Sequence, residues 1–273
     1  MRVAVRVAET LTEVLLAPAR PVDEVAWSSA LTEARRVLAR VAVRRSGAGT
    51  FRVTDHQLRV ALSHGGGPAE EEPFAWSART ARRSLGLAAV RALAVGVARS
   101  PADAVRARVA ESSELVRDGN PAVSGLDRWL AGLAPAGRAA VGAAAVTWST
   151  RLWCALDWDA FAVAPVIGRD RWWDSPDSAL LALRGRAEVR SDAGNLVVLS
   201  GPRRDSVRAE LALVTLVEAL RPGHGGVPGR VVGWWPDSGR VVRVEAEPAL
   251  LTLGAEAVSL VVAGTGTPAR AAA

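Results

Sequence analysis

Lysine and tyrosine are absent from this 273-residue chain, so all 34 basic side chains are arginine. Arginine keeps its proton at any working pH, which excludes a Schiff-base lysine, a lysine general base and a tyrosine acid from its chemistry. Cysteine occurs once, as Cys154 in the apolar run TRLWCAL, so a disulfide within the chain is impossible. With no histidine near it in sequence, Cys154 is expected to be a buried structural thiol rather than a nucleophile. The three histidines, His56, His64 and His224, show no HxxxH or HxxE spacing, and two of them sit in glycine-rich loops, HGGGPAEEE and RPGHGGVPG. Neither a zinc site nor a phosphate-binding loop ending in GK[ST] can be read from them, and no metal or cofactor is expected. No apolar run approaches the roughly 20 residues of a membrane helix. Glu9 and Glu13 interrupt any signal-peptide core in MRVAVRVAETLTEVLL. The default expectation is a soluble cytoplasmic protein without a membrane partner.

What is present is unevenly divided. Residues 1–150 carry 20 arginines against 14 acidic residues, and residues 151–273 carry 14 of each, so the net charge of +6 lies in the first half. Helical periodicity dominates that half. It runs through VDEVAWSSALTEARRVLARVAV, with Arg35, Arg36 and Arg40 on the polar face, and through FAWSARTARRSLGLAAVRALAVGVA. Ser100-Pro-Ala-Asp103 and Ser124 to Asp127 each read as a helix start, with serine as N-cap and an acid among the free amides. Pro135 opens a long alanine-rich helix whose Trp148 and Trp153 are expected in the core. GTFRVTDHQLRVAL alternates briefly and reads as a strand or hairpin.

After Trp158 the period becomes that of strands. VAPVIGRDRWW, SALLALRGRAEVR and NLVVLSG are short strand segments. SVRAELALVTLVEALRP is a helix apolar nearly all round, as one packed on a sheet would be. RVVGWWPDSGRVVRVEA is a hairpin turning at Pro-Asp-Ser-Gly, and PALLTLGAEAVSLVV is a final helix. The expected organisation is an α/β (α+β) fold. Residues 1–158 form a mainly helical region packed on a sheet-and-helix core of residues 159–263, and residues 264–273 form a disordered tail.

The order of these last elements resembles the PD-(D/E)XK nuclease superfamily, especially its RecB-like branch, over roughly the last 110 residues. GRAEV, with Glu188, stands where that branch has G-R-[IV]-D-x-V. VVLSG, Val197 to Gly201, stands where it has D-x-K-T-G. AELALV, with Glu210 and Val214, lies where a helix carries Q-x-x-x-Y. The resemblance implies a mixed sheet of restriction-endonuclease-like type, with carboxylates around a divalent metal that orients water for phosphodiester cleavage. Here Val197 occupies the second acidic position and Leu199 the lysine position, so the expected chemistry is silent and Glu188 is a vestige of it.

The remaining candidates are binding residues. Arg79, Arg82 and Arg83 share a helical turn, and Arg203 and Arg204 open the turn after Gly201-Pro202; each could meet a phosphate or be solvated surface charge. Asp174, Asp177 and Asp205 could join Glu188 in a new metal site or simply cap turns and helix starts. Glu188 could equally pair with an arginine at a sheet edge. Three functions stay open: a silent nuclease-like protein binding DNA or serving a DNA-processing complex; a protein-interaction scaffold or regulatory subunit, presenting Trp172-Trp173 or Trp234-Trp235; and an active nuclease with a rearranged site.

Overall fold

The computed structural model describes residues 10–18, 20–44, 50–63, 75–176, 180–221 and 229–264. The chain divides into two units, one of Met1–Thr12 with Glu72–Ala162 and one of Glu13–Glu71 with Val163–Ala273. The larger piece of the helical unit, Glu72–Ala162, is therefore inserted within the sheet unit. Sequence periodicity assigned all of residues 1–158 to one helical region. Residues 13–71 group instead with the strands, and the apolar faces of the described stretches 34–42 and 51–61 are covered there.

In the inserted unit, α4 (Ala78–Ala94), α5 (Pro101–Arg117), α6 (Gly125–Ala131) and α7 (Pro135–Ala155) surround a core that includes Leu85, Val105, Leu126, Leu130 and Val141. The expected starts are present. Ser100 caps α5 through the Asp103 amide, and Ser124 and Asp127 form a reciprocal capping box on α6. Buried Asp127 also accepts from Arg108 and Ser112, each at 2.7 Å. Trp148 of α7 crosses α4 at Gly86, where a Cβ would lie 2.4 Å from its ring. Trp153 is half-buried and stacks on Trp158 at 4.9 Å. Cys154 is exposed, contrary to expectation. The flanking apolar residues suggested burial, but Leu152 takes the inward position of this turn.

The sheet unit holds α1 (Leu11–Leu16) across its boundary, α2 (Glu24–Arg44), β1 (Phe51–Val53) and α3 (Asp55–Ser63). GTFRVTDHQLRVAL is thus a three-residue strand followed by a helix. Gln57 Oε1 accepts from the Thr54 amide at 2.9 Å while Thr54 Oγ1 accepts from the Gln57 amide at 3.4 Å, a capping box that ends the strand at Val53. Residues past 163 add β2 (Val166–Ile167), β3 (Arg171–Asp174), β4 (Leu181–Gly185), β5 (Val189–Arg190), β6 (Asn195–Val198), α8 (Val207–Leu220), β7 (Arg230–Trp235), β8 (Arg240–Glu245) and α9 (Pro248–Gly264).

Among the described residues two mixed sheets form where one was expected. The order of the first is β1-β4-β3, and of the second β2-β5-β6-β7-β8. β1 runs parallel to β4, and β6 parallel to β7 with α8 as the crossover between them. β4 pairs with β1 and β3 and with no strand of the second sheet among the described residues, so the two sheets stay separate. α8 joins both cores. Leu213, Leu216, Val217 and Leu220 meet α2, α3 and α9, while Leu211, Ala212 and Val214 meet β6 and β7. The Pro236 to Gly239 turn closes the expected hairpin, with Gly239 at φ +66°. Central β7 is buried throughout, so both Trp234 and Trp235 are interior. Trp172 of edge strand β3 is exposed, while Trp173 packs inward.

Candidate functional site

A small cavity opens between α3, β6 and the start of α8, lined by Asp55, Arg59, Arg186, Val197 to Ser200, Arg204, Glu210 and Val214. Its volume is about 20 Å³, room for little more than one water molecule. The three stretches singled out by the nuclease resemblance meet here. Val197 lines it beside Leu199, two residues on along the chain, and Glu210 and Val214 lie one turn apart on α8. Both Val197 and Leu199 are buried in the α8–β7 core, and the end of Leu199 lies against Gly233, where a Cβ would be 2.7 Å from it. Position 199 is therefore an apolar packing position.

Every carboxylate around the cavity is held by arginine. Glu188 is fully buried and does not line the cavity. Its Oε1 accepts Arg186 Nε and Nη2 at 3.1 and 3.0 Å, and its Oε2 accepts the Val198 amide at 2.7 Å. The expected arginine partner is present, but not at a sheet edge: β5, which follows Glu188, lies between β2 and β6. Asp55, from the first turn of α3, accepts Arg184 Nη2 at 2.8 Å, Arg186 Nη1 at 3.1 Å and Arg59 Nη2 at 3.4 Å. Burial pushes the Asp55 pKa up, but Arg186 and Arg184 outweigh it and hold the carboxyl well below the usual range. Burial likewise opposes the Arg186 charge, yet Glu188 and Asp55 together push its pKa up. Glu210 takes a two-pronged contact from Arg204 at 2.7 Å on each oxygen and a hydrogen bond from Ser206 Oγ at 2.8 Å.

Four guanidiniums, of Arg59, Arg184, Arg186 and Arg204, thus meet three carboxylates. A divalent cation would have to displace at least one arginine, and breaking a buried pair costs about 3–5 kcal/mol. Among the described residues no group of three or more His, Cys, Asp or Glu is arranged to hold a metal ion. The proposed set of Asp174, Asp177, Glu188 and Asp205 does not converge. Asp174 and Asp205 are exposed on separate elements while Glu188 is enclosed, and Asp177 lies outside the described residues. Asp205 precedes Ser206, the N-cap position of α8, which makes no side-chain cap bond.

The arginines selected for phosphate contact belong to different units. Arg79, Arg82 and Arg83 lie on α4 in the inserted unit, Arg79 exposed and the other two half-buried. Arg203 is exposed in the sheet unit, but Arg204 is spent on Glu210 and the Ser200 carbonyl. His56 is exposed on α3; His64 and His224 lie outside the described residues. Sequence reasoning missed Asp55, Arg59 and Arg184. The Thr54-x-x-Gln57 capping box was the available signal, since it puts Asp55 in the first turn of a helix.

No family model, curated protein or solved structure matches the chain. No helix among the described residues is long and apolar enough to cross a membrane.

Proposed function

We propose that the chain is a catalytically silent nuclease-like protein, its sheet unit of restriction-endonuclease-like type. In this reading it works as a nucleic-acid-binding or accessory subunit in DNA processing. The observation that carries this is the cavity: Val197 and Leu199 fill the two positions where the resemblance requires a carboxylate and a lysine. Glu188 and Glu210, at the other two motifs, are neutralised by Arg186 and Arg204. A frame whose acids are all paired and whose amine position is apolar retains the architecture without the means to polarise a phosphodiester. The surplus of arginine in the first 150 residues favours a polyanionic partner.

The test is binding and cleavage in parallel. Labelled duplex and single-stranded DNA are expected to bind at low salt, with affinity falling steeply as salt rises, and to remain intact with magnesium or manganese. Cleavage lost in Glu188→Ala would overturn the silent reading and restore the rearranged nuclease. The scaffold reading is favoured by one specific observation: Arg204, at the turn expected to meet phosphate, has its donors committed to Glu210 and Ser200. Absence of nucleic-acid binding at low salt would leave that reading standing.

A further inference from the structure

Among the described residues four strand edges end the two sheets, and three are short or blocked. β2 is two residues long, β1 is three, and the Trp172 carbonyl of β3 accepts Arg221 Nη1 at 3.0 Å. Folded proteins commonly protect sheet edges in these ways. β8 is different. It is six residues long and lies at the end of the five-stranded sheet, with Arg240, Val241 and Arg243 exposed.

The hydrogen-bond phase of β8 follows from its register. Ala246 donates its amide to the Gly229 carbonyl at 2.9 Å, so bonded pairs alternate from there along the hairpin. Val244 with Val231, Val242 with Gly233 and Arg240 with Trp235 fall in the bonded phase. Val241 and Arg243 therefore turn their amides and carbonyls away from β7. On that side β8 has no neighbouring strand, and no turn or loop backbone bond reaches either residue, among the described residues. Opposite Trp234, Val241 offers a half-exposed β-branched surface beside these groups, and Arg240 and Arg243 flank it with positive charge. Glu245 takes up part of the Arg243 charge at 2.9 Å, which leaves β8 itself, residues 240–245, net positive.

We infer that β8 is a strand-addition site for an extended acidic peptide segment of a partner protein. The free amide and carbonyl of Val241 and of Arg243 supply a ladder two residues apart, and glutamates on the two faces of the added strand meet Arg243, on the face of Val241, and Arg240, on the opposite face. A second copy fits less well. Two-fold pairing centred on Val242 or Arg243 would set the two Arg243 side chains diagonal or opposite one another, a like-charge contact.

The test uses the full chain and a fluorescein-labelled dodecapeptide of repeated Glu-Glu-Thr-Thr, which sets glutamate on both faces of the added strand, with binding followed by fluorescence anisotropy. Saturable binding is expected. Val241→Pro removes an outward amide without touching the β7 ladder, and is expected to weaken affinity about tenfold, as for one unpaired ladder bond. The double change Arg240→Glu, Arg243→Glu should weaken it at least as much. N-methylation of alternate residues of the peptide makes the same test without altering the protein. Lack of saturable binding, equal binding of a threonine–arginine peptide, or indifference to N-methylation would overturn the proposal. A concentration-dependent dimer abolished by Val241→Pro would assign the edge to a second copy instead.

Discussion

Arg186 and Glu188 face each other across one intervening residue, with Nε and Nη2 of the guanidinium both on Glu188 Oε1. The remaining Nη1 reaches Asp55, so one cation serves two acids from distant parts of the chain. Arg186→Met should leave Glu188 buried without a counter-charge and destabilise the sheet unit by about 3 kcal/mol or more. Urea unfolding measures this. A loss below about 1 kcal/mol, the range of an exposed pair, would mean that Glu188 is solvated or neutral.

Acid should unfold both units, for one electrostatic reason. In Asp127, burial raises the pKa but hydrogen bonds from Ser124, Ser112 and Arg108 outweigh it, and its carboxyl, like that of Asp55, is held well below the usual range. A carboxyl depressed in the folded state contributes stability that is fully present above its unfolded pKa, about 3.9. That contribution is lost as pH falls through the folded value. Unfolding midpoints should therefore owe no pH dependence to these two groups from neutrality down to about pH 4, then decline steadily below it. Asp127→Asn should flatten the decline for the inserted unit and Asp55→Asn for the sheet unit. An unchanged acid slope in both variants would contradict the assignment.

Gly86→Ala should destabilise the inserted unit, although alanine is the better helix former by about 1 kcal/mol. The added Cβ would meet the Trp148 ring at 2.4 Å, and displacing so large a side chain from a packed helix pair costs about 1–3 kcal/mol. The thermal midpoint and the tryptophan emission should shift together. A stabilised variant would show that α4 and α7 have room to separate.

Nucleic-acid binding, if it supports the proposed function, should respond differently to two kinds of arginine. Replacing Arg79, Arg82 and Arg83 by alanine should weaken all sequences about equally and shallow the salt dependence. Arg204→Ala should instead lower the unfolding midpoint, since it leaves buried Glu210 without its two-pronged partner. Equal loss of binding from both, with stability unchanged, would return Arg204 to the list of phosphate contacts.

Local signals in this chain were legible and distant ones were not. Ser100-Pro101, Ser124 with Asp127, and Pro236 to Gly239 set their own backbone through groups at most four residues away, so their helices and hairpin follow from the letters. Phe51 pairs with Leu181, and no local pattern announces a partner so far along the chain. The same distance hid Asp55 from the site, because its arginines at 184 and 186 come from strands made much later. Glu188 and Glu210 were legible through the motifs around them, whereas their neutralisation by Arg186 and Arg204 depended on side-chain directions that spacing does not fix.

The pairing of α2 with α9 bears on the making of the molecule. Leu38 and Val258 share one core yet lie about 220 residues apart, some 10–40 seconds of synthesis at ordinary ribosomal rates. Throughout that interval the apolar stripe of α2, with Ala34, Leu38 and Val41, waits for a helix not yet made, while Glu72–Ala162 of the inserted unit emerges. The nascent chain thus passes most of its elongation with an unburied helix face, the state in which a chaperone finds its substrate.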